Sequence, residues 1–176
     1  MATPGYMPFT GSSCFFSFIR VGLFCQFLFI AHSPQLSEAQ TQLSVQMLKG
    51  LDFGKVWAGS TDSVQPSDPG AAKFFIQGEK KTKIRLTFML PSQLLLTRDG
   101  VTERHPITFS PTSARWDQND AGNNPGNLFD PNQPYDMSIP GDGKVYVWIG
   151  GTSEPPSTQK PGRYEAQITL VVTPIQ

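Results

Sequence analysis

The sequence predicts an all-β fold, an antiparallel β-sandwich, and three observations support this. Apolar and polar residues alternate with a period of two in several segments, as in strands that bury one face. Glycine and proline are frequent, with 16 of each in 176 residues, and many of them fall between those segments as turn signals. No segment of the mature chain sustains the 3.6-residue apolar repeat of an amphipathic helix. Short strands separated by such turns are typical of antiparallel sandwiches.

The N-terminal region, residues 1–39, is predicted to be a cleaved signal peptide that precedes a single domain, residues 40–176. The apolar stretch Phe15–Ala31 includes Arg20 ahead of its densest part, and Ser37–Ala39 provides a small-x-small cleavage site. A transmembrane anchor is the alternative, but it needs about 20 apolar residues, more than the uninterrupted run offers. The signal therefore predicts a secreted protein, extracellular or at the cell surface.

The mature domain would contain no cysteine, because Cys14 and Cys25 both lie in the signal peptide. An exported domain without disulfides must depend on its apolar core. The whole sequence has 14 basic and 14 acidic residues, so it has no net basic field to attract nucleic acid or an anionic membrane. We expect no membrane span in the mature chain. Translation of the precursor starts at Met1 or Met7.

Four strands are predicted in the first half of the mature domain. Leu43–Met47 alternates apolar and polar residues, and Ala72–Gln77 is a short run rich in phenylalanine. Thr82–Leu90 shows the clearest alternation, with apolar side chains at every even position from 84 to 90. Leu94–Thr97 ends just before Asp99-Gly100, a pair that suits a tight type I′ hairpin.

Three strands are predicted in the second half. Ile107–Ser110 follows the hairpin, and Val145–Ile149 has branched apolar residues at alternate positions. Arg163–Thr173 places Tyr164 and the even-numbered residues up to Val172 on an inward face. The glycines at 141 and 143 and the pair Pro161-Gly162 mark turns.

The segment 110–143 departs from this pattern, because it is rich in Asn, Asp, Gly and Pro. It exceeds the usual length of a hairpin connection, so we expect either a long functional loop or a partly ordered excursion.

The tripeptide Asp52-Phe53-Gly54 also occurs in protein kinases, where its aspartate holds magnesium. The mature chain has no glycine-rich phosphate loop and no catalytic loop of the kinase kind, so a kinase is excluded. The structural interpretation is an early strand with Leu51 and Phe53 inward, Gly54 at a bulge, and Asp52 on the outer face or bonding the turn. The nearby Trp57, like Trp148, is expected to pack in or on a sheet.

Catalytic groups are scarce, and the sequence predicts that the protein is not an enzyme. The mature chain has one histidine, His105, which is expected in a solvated loop, and it has no thiol for nucleophilic chemistry. Paired carboxylates remain as a hydrolytic alternative, but the aspartates of the 110–143 segment are expected to solvate its surface.

Calcium is the one cofactor that the sequence suggests. The run "DQNDAGNN" offers Asp117, Asn119 and Asp120 as oxygen ligands, with Gly122 at the glycine position of an EF-hand loop. Ala121 occupies a ligand position and no bidentate glutamate follows, so the alternatives are a different kind of calcium site or no metal at all.

Three aromatic residues in the same segment, Trp116, Phe129 and Tyr135, suggest a ligand platform. Aromatic rings stack on sugars, so these residues are candidates for glycan binding. The alternative is that they pin the segment to the sandwich.

Four motifs together resemble an uncharacterised family of secreted bacterial β-sandwich domains. They are a Leu-Asp-Phe-Gly start, a central A-x-F-x-(V/I)-x-G strand, a late apolar strand ending near Gly-Gly-Thr, and a final G-x-Y strand. Here they fall on Leu51–Gly54, Ala72–Gly78, Val145–Thr152 and Gly162–Val172. The same frame resembles pilin subunits of the spore-coat-U and chaperone–usher kinds.

The resemblance implies an immunoglobulin-like, pilin-like sandwich that works as a structural subunit outside the cell. In such pilins an extended segment from a neighbour completes the sandwich, so a periplasmic chaperone and an outer-membrane usher would be partners. The alternating residues Leu43, Val45 and Met47 would be the donated strand; alternatively, the stretch before Leu51 is the first strand of a complete sandwich. The leading hypothesis is self-association into a filament, pilus or surface layer, and the second is a carbohydrate-binding or adhesive module that uses the 110–143 segment.

Overall fold

The computed structural model describes residues 43–98, 101–121 and 127–176. Their regular structure is β-strand, and every strand pairing is antiparallel, which confirms the predicted all-β class. The strands are β1 (Ser44–Lys49), β2 (Asp62–Val64), β3 (Ala72–Gln77), β4 (Lys83–Met89), β5 (Gln93–Arg98), β6 (Val101–Thr108), β7 (Ala114–Asp117), β8 (Leu128–Phe129), β9 (Tyr135–Ser138), β10 (Lys144–Ile149), β11 (Gly151–Ser153) and β12 (Thr169–Pro174).

The strands form three sheets. One has the order β1-β3-β10-β7-β8, the second β2-β11-β6-β5 and the third β12-β4-β9. Strand β10 leads into β11 through Gly150, where an added β-carbon would overlap the carbonyl of Val64. A residue without a side chain is therefore required where the chain passes from the first sheet to the second.

The main core lies between the five-stranded and three-stranded sheets. One apolar cluster contains the inward residues of β3 and β10 together with those of β4 and β9, so these two sheets pack face to face. Ile76, Ile84, Leu86 and Val147 are each 0% exposed. The alternation in the sequence thus produces a sandwich-like core.

The bounds predicted for the strands agree with the observed bounds in some cases and differ in others. Ala72–Gln77 has the predicted bounds, whereas the strand predicted over Arg163–Thr173 begins only at Thr169. Strands β5 and β6 pair in a register that opposes Arg98 and Val101. The predicted hairpin turn, Asp99-Gly100, lies outside the described residues, as do the predicted signal peptide, Gln40 and Gly122.

The segment 110–143 differs from an uninterrupted loop. It contains β7, which pairs with β10 inside the five-stranded sheet, and also β8 and β9. These strands have two to four residues each, too few to show a period of two among the surrounding turn residues.

Candidate functional site

The predicted donor residues lie on β1, at an edge of the five-stranded sheet. In the described part of the chain, β1 pairs with β3 alone, and all six of its residues are exposed. Leu43 packs against the core cluster just before the strand. Val45 and Met47, which share its side of the strand, remain 41% and 59% exposed. The structure thus places this stretch in its own sheet, and donation to a second copy stays a prediction.

Strand β12 also forms an edge. Among the described residues it pairs with β4 only, and the N–H of Ile175 donates to the carbonyl of Lys83 at 2.9 Å. Backbone groups alternate between the two edges of a strand, so the odd-numbered residues of β12 bond to β4. The N–H and C=O groups of Leu170 and Val172 therefore point to the other edge, which we call the free edge of β12.

The segment before β12 is tied to a different strand. Glu165 and Leu95 exchange two backbone hydrogen bonds of 2.9 Å each, which link this segment to β5. Residues 166–168, between this bridge and β12, lie outside regular strands, so the free edge is assigned to β12 alone.

A cleft of about 1320 Å³ opens beside the start of β12. Two segments outside regular strands, residues 50–58 and 159–168, supply much of its lining, and β1, β3, β5, β6 and β11 supply most of the rest. Small-molecule pockets typically hold about 300–1,000 Å³, so this cleft has room for an extended peptide segment. The apolar side chains that line it include Met47, Leu51, Phe53, Val56, Trp57, Phe74, Leu94, Ile107 and Ile168.

The Leu51–Gly54 motif forms part of this lining and is not the early strand that we expected. The N–H of Gly54 donates to a side-chain oxygen of Asp52 at 2.8 Å, and Gly54 has a φ of 65°, which favours glycine. The alternative role of Asp52 in bonding the turn is thus confirmed. Trp57 follows at the cleft with 66% of its surface exposed, which corrects the expectation that it packs in or on a sheet.

His105 occupies a buried position in the cleft and is not the solvated loop residue that we expected. It lies on β6, is 6% exposed, and its Nε2 is 3.0 Å from the hydroxyl of Ser153. Its Nδ1 is buried without a hydrogen-bond partner in the described structure. Burial lowers the pKa of His105 below its usual value, so the neutral ring is favoured.

Two neighbours extend this polar group. The ring of Tyr164 lies 4.7 Å from that of His105, centre to centre, and the Gln159 amide donates to the Tyr164 hydroxyl. That hydroxyl donates in turn to the carbonyl of Lys160 at 2.9 Å. The side-chain oxygen of Gln159 is buried and, like Nδ1 of His105, has no partner among the described residues.

The pair Ser153–His105 has the nucleophile and base of an acyl-transfer site but differs in its surroundings. In such sites a carboxylate or amide orients the second nitrogen of the histidine. Here that nitrogen is unpartnered, and Ser153 is only 1% exposed. The geometry suits hydrogen bonding at the base of the cleft better than attack on a substrate.

The predicted ligand aromatics are brought together, but against the core. The indole N–H of Trp116 donates to the hydroxyl of Tyr135 at 3.1 Å, and Tyr135 stacks on Phe129 at 4.4 Å. Phe129 is 5% exposed, and the other two rings pack on the main cluster. This packing corresponds to the alternative in which the rings pin their segment to the sandwich.

The predicted calcium ligands are engaged with protein groups. Asp117 is buried and accepts a hydrogen bond of 2.9 Å from the backbone N–H of Asn119, while Asp120 forms an ion pair with Lys73. Within residues 43–98, 101–121 and 127–176, no three His, Cys, Asp or Glu side chains are grouped so that they could hold a metal ion.

Comparisons with known sequences assign the chain to no family. A search of the chain against protein-family models found no match, and neither did a search of curated protein sequences. Among the residues described, no helix is long and apolar enough to cross a bilayer.

Sequence reasoning missed the polar group in the cleft. One signal was present, because His105 and Ile107 are two residues apart and therefore share a face of any strand. Nothing local to Ser153 or Tyr164 indicates that they meet His105, since those contacts depend on how distant segments pack.

Proposed function

We propose that the chain is a secreted, non-enzymatic structural subunit of an extracellular filament or surface layer, assembled by strand addition between copies. Two observations carry this proposal: β12 has a free edge, and an apolar cleft ends at Ile168, one residue before β12 begins. Strand addition needs both features: unpaired backbone groups supply hydrogen bonds, and apolar pockets receive alternate side chains of the added strand.

The order of strands supports an immunoglobulin-like arrangement. Strands β1, β3, β10 and β7 are neighbours in the order that strands A, B, E and D have in that fold, and β4 and β12 pair as C and F do. In that fold, strand G lies beside F, and here F corresponds to β12. The position of G is the one that an added strand would take, as in the pilins that the sequence resembles.

The exposure of apolar residues around this position also supports the proposal. Trp57 and the half-buried Leu51 and Phe53 line the cleft although each has a large apolar side chain. Such a contiguous apolar surface on an exported protein marks an interaction site. An added strand would remove this surface from water.

We assign the added strand to residues 43–47 of a second copy, in which Leu43, Val45 and Met47 alternate. β1 is held at one edge by β3 and its six residues are exposed, so the main buried contact that its release forfeits is that of Leu43 with the core. A linear series of such donations produces a filament. A periplasmic chaperone would protect the same cleft before assembly, and an outer-membrane usher would export the subunits.

The glycan-binding alternative draws less support from the geometry. Its three aromatic residues pack on the core, and the outer calcium ligand pairs with Lys73.

Electron microscopy and size-exclusion chromatography of the secreted protein test the proposal. We expect filaments or higher oligomers from the natural chain and their loss in Val45→Asp, because a carboxylate cannot enter an apolar pocket at low cost. Gln46→Asp is the matched control: it adds the same charge to the other side of β1 and should still assemble.

The proposal is wrong if the natural protein is strictly monomeric at high concentration, or if Val45→Asp assembles as the natural chain does. Thermal unfolding of both variants separates assembly from folding, because Val45 is already 41% exposed in the subunit.

A further inference from the structure

Trp57 lines the cleft with most of its side chain in water. It is 66% exposed, whereas Trp148 is 8% exposed and Trp116 packs on the main core cluster. Tryptophan is among the residues that contribute most to a core or an interface, because its large ring removes much apolar surface from water. The packing of its own subunit therefore does not explain the position of Trp57.

The turn that carries Trp57 is held by hydrogen bonds on two sides. The backbone N–H of Ser60 donates to the carbonyl of Trp57 at 3.0 Å, and the Ser60 hydroxyl donates to the same carbonyl at 2.7 Å. The N–H of Gly59 donates to the carbonyl of Pro155 at 2.9 Å, which ties the turn to the segment that follows β11. The backbone beneath the exposed ring is thus fixed before any partner binds.

Lys55 restricts the ring itself. Its ammonium nitrogen lies 4.4 Å from the centre of the Trp57 ring, the geometry of a cation–π contact. The cation covers part of the indole, and the exposure of Trp57 shows that ring surface remains for a partner. A large side chain that is ordered in advance loses little conformational entropy on binding, as is typical of the residues that dominate an interface.

The same molecule carries an apolar segment that fits this surface. Val45 and Met47 are exposed on β1, and the run Leu43–Met47 contains no charged residue. A molecule with an apolar site on one part of its surface and an exposed apolar segment on another can associate with copies of itself. The occupant that these residues favour is therefore β1 of a second copy.

We infer that Trp57 is the anchor residue of the interface between subunits, on which the apolar stripe of the strand added from a second copy packs. This inference rests on the proposed function and adds to it the acceptor residue that contributes most to affinity. The added strand excludes water from the indole ring. Assembly therefore has a fluorescence signal, because the chain has three tryptophans and the other two already pack against their own subunit.

Acrylamide quenching of tryptophan fluorescence tests the burial of Trp57. The full chain with Val45→Asp supplies the monomer, and the natural chain supplies the assembly. We expect strong quenching in the monomer and weaker quenching in the assembly. Trp57→Phe, introduced into both chains, is the control: the two remaining tryptophans should be quenched weakly and to the same extent in each.

Titration measures the affinity that Trp57 provides. A fluorescently labelled peptide of residues 43–49 is added to the Val45→Asp acceptor and followed by anisotropy. Trp57→Ala in the acceptor should weaken binding about 30-fold, as for a residue that dominates an interface. Leu128→Ala is the matched control, because it truncates an exposed apolar side chain outside the cleft, and it should have no effect. Circular dichroism checks that each acceptor is folded.

The outcomes separate the anchor from the proposed function. If the natural chain assembles while Trp57 stays as accessible to acrylamide as in the monomer, strand addition stands and the anchor is wrong. Equal binding of the peptide with and without Trp57→Ala leads to the same conclusion. Protection of Trp57 in the monomer would show that its own chain covers it, which also overturns the anchor. If the natural chain does not assemble and the peptide does not bind, both the proposed function and the anchor are overturned.

Discussion

The central strands β4 and β10 and the edge strand β1 have the same alternating sequence pattern, but their apolar residues differ in burial. Around β4 and β10, alternating residues such as Leu86 and Val147 are 0% exposed, because each strand has a neighbour on both edges and a sheet opposite. Around β1, the alternating residues Val45 and Met47 are 41% and 59% exposed. Alternation therefore predicts which face of a strand is apolar, whereas the burial of that face depends on neighbouring strands and an opposite sheet.

The largest expected effect contrasts a central strand with the edge strand β1. Leu86→Ala leaves a cavity in the main core beside β4 and should lower the free energy of unfolding by about 3 kcal/mol. Met47→Ala removes a side chain of similar size at the exposed edge and should cost about 0.5 kcal/mol or less in the isolated subunit. Urea unfolding of monomeric protein measures both, and equal losses would contradict the contrast.

Proline substitutions distinguish the bonded and free edges of β12. Val171→Pro removes an N–H that bonds to β4 and should lower the free energy of unfolding by about 2 kcal/mol. Leu170→Pro removes an N–H of the free edge together with the packing of Leu170 on the core, so it should cost little more stability than Leu170→Ala but still impair assembly. Chemical unfolding and electron microscopy of the three variants check this. Destabilisation by Leu170→Pro far beyond that of Leu170→Ala would mean that the edges are assigned in reverse.

The smallest expected effect is the pH dependence that His105 introduces. Its pKa is lowered from 6.5 by burial, so the unfolded chain takes up the proton first as the pH falls. Stability from the neutral ring is therefore complete above about pH 6.5 and declines below it, until the folded state is protonated as well. Thermal unfolding from pH 8 to 5 should show this decline, and His105→Gln should reduce it. An unchanged decline in the variant would assign the effect to other groups.

The inward residues of the central strands could largely be predicted from the sequence. Ala72–Gln77 and the even-numbered residues of Thr82–Leu90 follow the alternation, because a strand with one buried face repeats every two residues. β7 was missed because its four residues include Arg115 and Asp117, which are buried polar residues and hide the pattern. Arg115 is buried where its guanidinium lies 5.2 Å from the ring of Trp148, a contact that no local pattern indicates.

The candidate site was predictable only in part. The stripe Leu43, Val45 and Met47 is visible in the sequence, and so is the turn at Gly54. The cleft is not, because it forms where residues 50–58 meet residues 159–168, which are about one hundred positions away in the chain.

The sequence by itself determined the class of structure and the inward side of most strands, since both depend on residues that are two positions apart. The tertiary structure alone decided which strands are neighbours, and thereby left one edge of β12 free and an apolar cleft, lined in part by His105, just before the strand begins. The physical reason is that backbone hydrogen bonds between strands are the same for every residue type except proline, so strand partners are selected by the packing of side chains from distant segments.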